Sequence, residues 1–107
     1  MSAGLTLTGE NFEREVLNSP IPVFIDFWAG WCGDCMKIAP FIDQLADEYA
    51  GRIKMAKVNT EAEPELAQRH NVYAIPRLVL YKNGEIVAEQ AEVMLKRDLE
   101  AMFKGYA

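Results

Sequence analysis

Apolar residues fall along this chain with two spacings, and the switches between them lay out its elements. Val23-Phe24-Ile25-Asp26-Phe27-Trp28 is a continuous apolar run broken by one carboxylate, the pattern of a buried strand. Soon after it, Ile38, Phe41, Ile42, Leu45 and Tyr49 recur at helical spacing, with Lys37, Asp43, Gln44, Asp47 and Glu48 on the other face. A long amphipathic helix is therefore predicted from about Cys32 to Tyr49. Pro40 lacks the N–H that the Met36 carbonyl would accept, which predicts a kink, and Gly51 closes the helix. Upstream, Leu5-Thr6-Leu7 reads as a short strand, and Phe12 and Val16, four apart, as a first helix ending before Pro20.

Downstream, Ile53 to Asn59 reads as a strand. Pro64 opens a short helix to about His70, with Glu63 and Glu65 near its positive end. Arg77 to Tyr81 is a strand, Asn83-Gly84 a hairpin turn, and Glu85 to about Ala91 the returning strand. Leu95, Leu99, Met102, Phe103 and Tyr106 form the apolar face of a last helix. Strands separated by helices in the first half require parallel pairing with right-handed crossovers, and the hairpin adds an antiparallel pair. The predicted class is α/β, a central mixed sheet of about five strands flanked by four helices. No repeat, linker or low-complexity stretch interrupts it, so residues 1–107 read as one domain.

Composition narrows the function. Half of the residues are apolar, enough for a core, and a net charge of −5 argues against nucleic acid as a partner. No stretch approaches the roughly 18 apolar residues of a membrane span. Met1-Ser2-Ala3-Gly4 carries no basic region leading into an apolar core, so the expectation is a cytoplasmic monomer away from membranes.

The chemistry gathers in Trp31-Cys32-Gly33-Asp34-Cys35, which holds both cysteines of the chain. The motif lies where a strand ends and a helix begins. Free N–H groups and the positive dipole end favour a thiolate there. Cys32 comes first and is the more exposed, suited to attack a disulfide. Cys35 lies one turn on, faces inward and is suited to resolve the mixed disulfide. A zinc site would need four ligands, and beyond the cysteines only His70 is a strong nitrogen donor. A structural disulfide across so short a loop would stabilise little. A redox dithiol is the stronger reading.

Trp-Cys-Gly-x-Cys, preceded by Asp26-Phe27-Trp28-Ala29 and followed by Ala39-Pro40, resembles thioredoxin. The likeness runs from about Leu5 to Tyr106. It includes Ala46-Asp47-Glu48-Tyr49, Ala56-Lys57-Val58-Asn59, Ala74-Ile75-Pro76 and Tyr81-Lys82-Asn83-Gly84-Glu85. It implies the thioredoxin fold, the same arrangement as the one read from the pattern. It also implies that Asp26 and Lys57 lie together beneath Cys35, with Asp26 taking the Cys35 proton and Lys57 tuning it. Asp26 alone already reads as a buried carboxyl of raised pKa, whereas Lys57 alone reads as an ordinary snorkelling lysine. The resemblance further implies that Ile75-Pro76 faces the dithiol with the proline cis, exposing backbone for an extended substrate chain. Trp31 would give that substrate an apolar contact, and Trp28 reads as core packing. His70 reads as a plain polar residue at a helix end, and the five methionines as core filler.

Three positions depart from the family pattern. Asp34 stands where a proline is usual, Arg77 where a threonine is usual, and Glu92 where a glycine is usual. All three are expected around the groove beside Cys32, with Arg77 drawing on the thiolate or pairing with Asp34 or Glu92. The expected function is reduction of disulfides in protein substrates, without a bound cofactor or metal, electrons coming from a separate reductase of the thioredoxin-reductase type. Charged rim residues predict a narrower choice of partner. Two alternatives are an oxidase or isomerase running the same dithiol in reverse, and a docking or assembly subunit in which the dithiol matters little.

Overall fold

Val23–Trp28 forms the middle strand of the sheet, and its pairing explains why it is so apolar. In a computed structural model, which describes residues 4–107, the strands are β1 (Leu5–Thr6), β2 (Val23–Trp28), β3 (Lys54–Asn59), β4 (Arg77–Lys82) and β5 (Glu85–Ala91). They lie side by side in the order β1-β3-β2-β4-β5. β1 and β2 each run parallel to β3, and β4 runs antiparallel to both β2 and β5. The expected mixed sheet is therefore present.

Alternation along β2 sends its side chains into two separate cores. Phe24 faces α1 (Gly33–Glu48) and α3 (Lys96–Phe103), packing with Ile38, Ile42, Leu45, Leu99 and Phe103. Val23, Ile25 and Phe27 face the opposite side, with Phe12, Val16 and Leu66 from the first helical turn and α2 (Pro64–Arg69). With both faces covered, a strand in the middle has no solvent side on which polar residues are free of cost.

Two elements differ from the expectation. The first helix is a five-residue π-helical turn, Glu13–Leu17, closed by Asn18 N–H donating to the Glu13 carbonyl at 3.0 Å. That wider turn still buries Phe12 and Val16 together. Helix α1 continues through Pro40, which is exposed. The last helix begins after Leu95 and tightens into a 3-10 turn, Lys104–Tyr106. Leu95 is the extended N-cap and Tyr106 lies past the change of pitch, so both are exposed instead of buried. Gly51 sits at φ +84, the left-handed conformation that lets the chain leave α1 for β3.

Candidate active site

The dithiol stands at the junction of β2 and α1. Cys32 N–H donates to the Ala29 carbonyl at 3.1 Å, turning the chain at the end of the strand. Cys32 is the N-cap of α1, its Sγ accepting the Cys35 N–H at 3.1 Å. A sulfur in that place takes up an N–H left without a partner at the helix start, which favours its anionic form. Cys32 and Cys35 are joined as a disulfide, Cα to Cα 5.3 Å. Cys32 is 6% exposed and Cys35 1%, so the outward sulfur is the first, as its place in the motif predicts. Trp31 is 70% exposed beside it.

Below Cys35 lies a cavity of about 370 Å³ whose lining includes Asp26, Trp28, Met36, Pro40 and Lys57. Asp26 and Lys57 are direct partners in the β2–β3 register, which brings together two residues 31 positions apart in sequence. Both are buried. Burial pushes the Asp26 carboxyl up to about 7, and the Lys57 charge opposes it. The Asp26 Oδ1 is buried without a hydrogen-bond partner among the described residues. Lys57, read alone as a snorkelling side chain, instead places its ammonium 5.7 Å from the centre of the Trp28 ring. Trp28 is thus more than packing, since it seats the cation on the side of the sheet that holds Asp26.

The Ile75–Pro76 peptide is cis. Because Arg77 pairs with Phe27, this bond lies beside the end of β2, next to the turn that carries the dithiol. Glu92 N–H donates to the Pro76 carbonyl at 2.7 Å, tying the segment after β5 to the same place. Glu92 sits at φ +61, where a glycine would be unstrained.

Arg77 departs from the expectation. Its guanidinium pairs with Glu89 on β5 instead of Asp34, Glu92 or the Cys32 sulfur. Strand alternation is the reason. Arg77 shares the face of Val79 and Tyr81, which line the core on the α2 side, whereas Asp34 belongs to α1.

Three further residues take places that composition and periodicity did not reveal. His70 is buried, with Nδ1 2.8 Å from the Leu66 carbonyl oxygen and Nε2 2.7 Å from the Tyr81 hydroxyl. Met36 is exposed and lines the cavity with Asp26, unlike the buried Met55 and Met102. Tyr73 is 91% exposed two residues before Ile75. An aromatic residue in a short loop without periodicity is the one sequence sign of it.

A sulfur held where a helix favours its anion, above an acid that gains or loses a proton near neutrality, suits the exchange of thiols for disulfides. Fold and site together define a thiol–disulfide oxidoreductase. A family model described as Thioredoxin matches residues 3–105. The chain is 45% identical over 87 residues to Thioredoxin 1 of a Nostoc species, covering 81% of each chain. It is 44% identical over 95 residues to a thioredoxin of Allochromatium vinosum, covering 89% of each. It is 43% identical over 99 residues to a thioredoxin of Haemophilus influenzae, covering 92% of each. The chain belongs to the thioredoxin family. Membership carries the family's general partners, proteins with disulfides and a reductase that restores the dithiol. Among the described residues no helix is long and apolar enough to cross a membrane.

Proposed function

We propose that this protein, as a cytoplasmic monomer and one domain over residues 1–107, reduces disulfides in other proteins with Cys32 as nucleophile. The Cys32 thiolate attacks one sulfur of the substrate disulfide. The other sulfur leaves as a thiolate and takes a proton, and a mixed disulfide joins substrate to Cys32. Asp26 accepts the Cys35 proton, with Lys57 stabilising the carboxylate that would otherwise be costly to bury. The Cys35 thiolate then attacks the Cys32 Sγ and expels the second substrate sulfur, leaving Cys32–Cys35 oxidised. Two electrons pass to the substrate, and a separate reductase returns them to the dithiol. Gly33 and Asp34 complete the motif, while Trp31, Ile75, Pro76, Arg77 and Glu92 surround the docking groove. No bound cofactor or metal enters the reaction, and neither nucleic acid nor membrane is a partner.

The observation that carries this reading is Asp26, buried against the cavity under Cys35 with a carboxyl that titrates at about 7. A proton acceptor matched to neutral pH in that place has little use in a redox-inert docking subunit. A Cys35→Ser variant is expected to accumulate a mixed disulfide through Cys32, read by mass spectrometry. Insulin reduction by Cys32→Ser is expected at background, and a rate equal to the parent's would overturn the assignment.

A further inference from the structure

The end of the molecule that carries the dithiol has a charge balance which the pairing of Arg77 decides. β2 and β3 both finish there, β4 starts there, and the segment after β5 is tied to it by Glu92 N–H donating to Pro76. Arg77 is the one cation that the departures from the family pattern bring near the groove, and Glu89 neutralises it on the α2 side of the sheet. Lys57 is buried, and Arg69 lies over the Phe12 ring, its guanidinium carbon 4.9 Å from the ring centre. Exposed carboxylates at this end include Asp34 in the first turn of α1, Glu61 just beyond β3, and Glu92 beside Pro76. Lys37, one turn further along α1, leaves the balance negative. Two exposed aromatic residues accompany the acids, Trp31 at 70% and Tyr73 at 91%.

We infer that this rim selects protein substrates with an arginine or lysine close to the target disulfide. The inference rests on the thiol–disulfide exchange proposed above and names the substrate class for that same site. Carboxylates around an exposed sulfur attract a basic segment and repel an acidic one, mainly through the rate of encounter. Exposed indole and phenol rings add a face on which a guanidinium or ammonium rests with its apolar stem. A short peptide with a central cysteine, oxidised to its homodimer, makes the simplest probe.

The experiment compares three such peptide dimers, with arginine, alanine or glutamate flanking the cysteine. Each is reduced by the dithiol form of the protein, and each rate is divided by that of the same peptide with dithiothreitol, which removes differences in disulfide reactivity. At low ionic strength the arginine peptide is expected to react about tenfold faster than the glutamate peptide. At roughly 0.5 M salt the ratio is expected to fall to about two. Asp34→Asn with Glu92→Gln is expected to lower the ratio at low salt. Tyr73→Ala is expected to slow the arginine peptide more than the alanine peptide. Equal rates for arginine and glutamate peptides at low salt, or a ratio unchanged in the double variant, overturn the charge selection alone. Failure to reduce even the alanine peptide overturns the exchange reaction itself and the selection with it.

Discussion

Asp26 and His70 are both ionisable side chains buried against the sheet, one on each side of it, and they are treated in opposite ways. On the α2 side His70 is packed among the rings of Phe12, Phe27 and Tyr81, and both ring nitrogens have partners. On the α1 side Asp26 borders a cavity, and one carboxylate oxygen has no hydrogen-bond partner among the described residues. Burial holds His70 below its ordinary value, chiefly by disfavouring the imidazolium, and raises Asp26 by disfavouring the carboxylate. The neutral imidazole is a finished piece of core. The carboxyl is left with a shortfall, which a full set of hydrogen bonds would have removed together with its readiness to take a proton near pH 7.

The sharpest test of this contrast is Asp26→Asn. Well below pH 3.8 the carboxyl is protonated whether the chain is folded or not, so it costs nothing there. From there up to about 7 the unfolded chain ionises it while the fold holds the proton, and stability falls across that window. The shift from 3.8 to about 7 corresponds to about 4 kcal/mol at pH 7 and above. Asp26→Asn is therefore expected to gain of order 3 kcal/mol at pH 8 and nothing at pH 3, read from denaturant midpoints. Decay of the Cys32 mixed disulfide is expected to slow by about tenfold to a hundredfold at pH 7. Stabilisation with an unchanged decay rate would remove Asp26 from the reaction.

The converse holds for His70. His70→Ala leaves the Tyr81 hydroxyl without its ring partner, leaves the Leu66 carbonyl with only the backbone N–H of residue 70, and opens space between aromatic rings, for a loss of about 2–3 kcal/mol. Disulfide exchange by the folded variant is expected to stay within about twofold of the parent, since the imidazole faces the other side of the sheet. A larger fall in rate would break the contrast. His70 also predicts a pH effect of opposite direction to that of Asp26. Its folded pKa lies below the ordinary 6.5, so the unfolded chain takes up the proton first and stability declines as pH falls below 6.5. Midpoints of the Asp26→Asn variant between pH 4 and 8 isolate that decline, and His70→Ala in the same background is expected to abolish it.

Two smaller effects come from the rim on the Asp26 side. The double variant Asp34→Pro, Glu92→Gly is expected to be turned over about tenfold more efficiently by a general thioredoxin reductase, equal to about 1.4 kcal/mol. Arg77 stays in place because Glu89 already holds it. Equal turnover of parent and variant would make the two acids neutral for recycling. Glu92→Gly alone is expected to stabilise the fold by about 0.5–1 kcal/mol. A left-handed conformation costs a side-chain-bearing residue about 1–2 kcal/mol, and the freedom that glycine adds to the unfolded chain gives back part of the gain. Thermal unfolding reads the difference.

Much of this site was legible along the chain. The predicted strand Val23–Trp28 has the bounds observed, and a carboxylate inside such a run had to be buried or in use. Cys32 and Cys35 at the end of that strand and the start of a helix marked the chemistry, because local geometry alone settles which sulfur faces outward. Lys57 was ambiguous by itself and needed the resemblance to place it under Cys35. Arg77, His70 and Tyr73 were misjudged or missed for a shared reason. Their roles depend on what stands opposite them or on nothing standing there, and periodicity records neither.

The chain by itself determined the order of strands and helices, the buried acid and the dithiol, since each follows from residues within a few positions of one another. The tertiary structure alone decided the partners. Asp26 meets Lys57 through the β2–β3 register, His70 meets Tyr81 across the α2 side, and Arg77 meets Glu89 across the hairpin. Alternation assigns a strand residue to a face, but what waits on that face arrives from elsewhere in the chain. A charge that looked available at the rim was therefore already taken, and a lysine that looked solvated lies buried against the sheet beside Asp26.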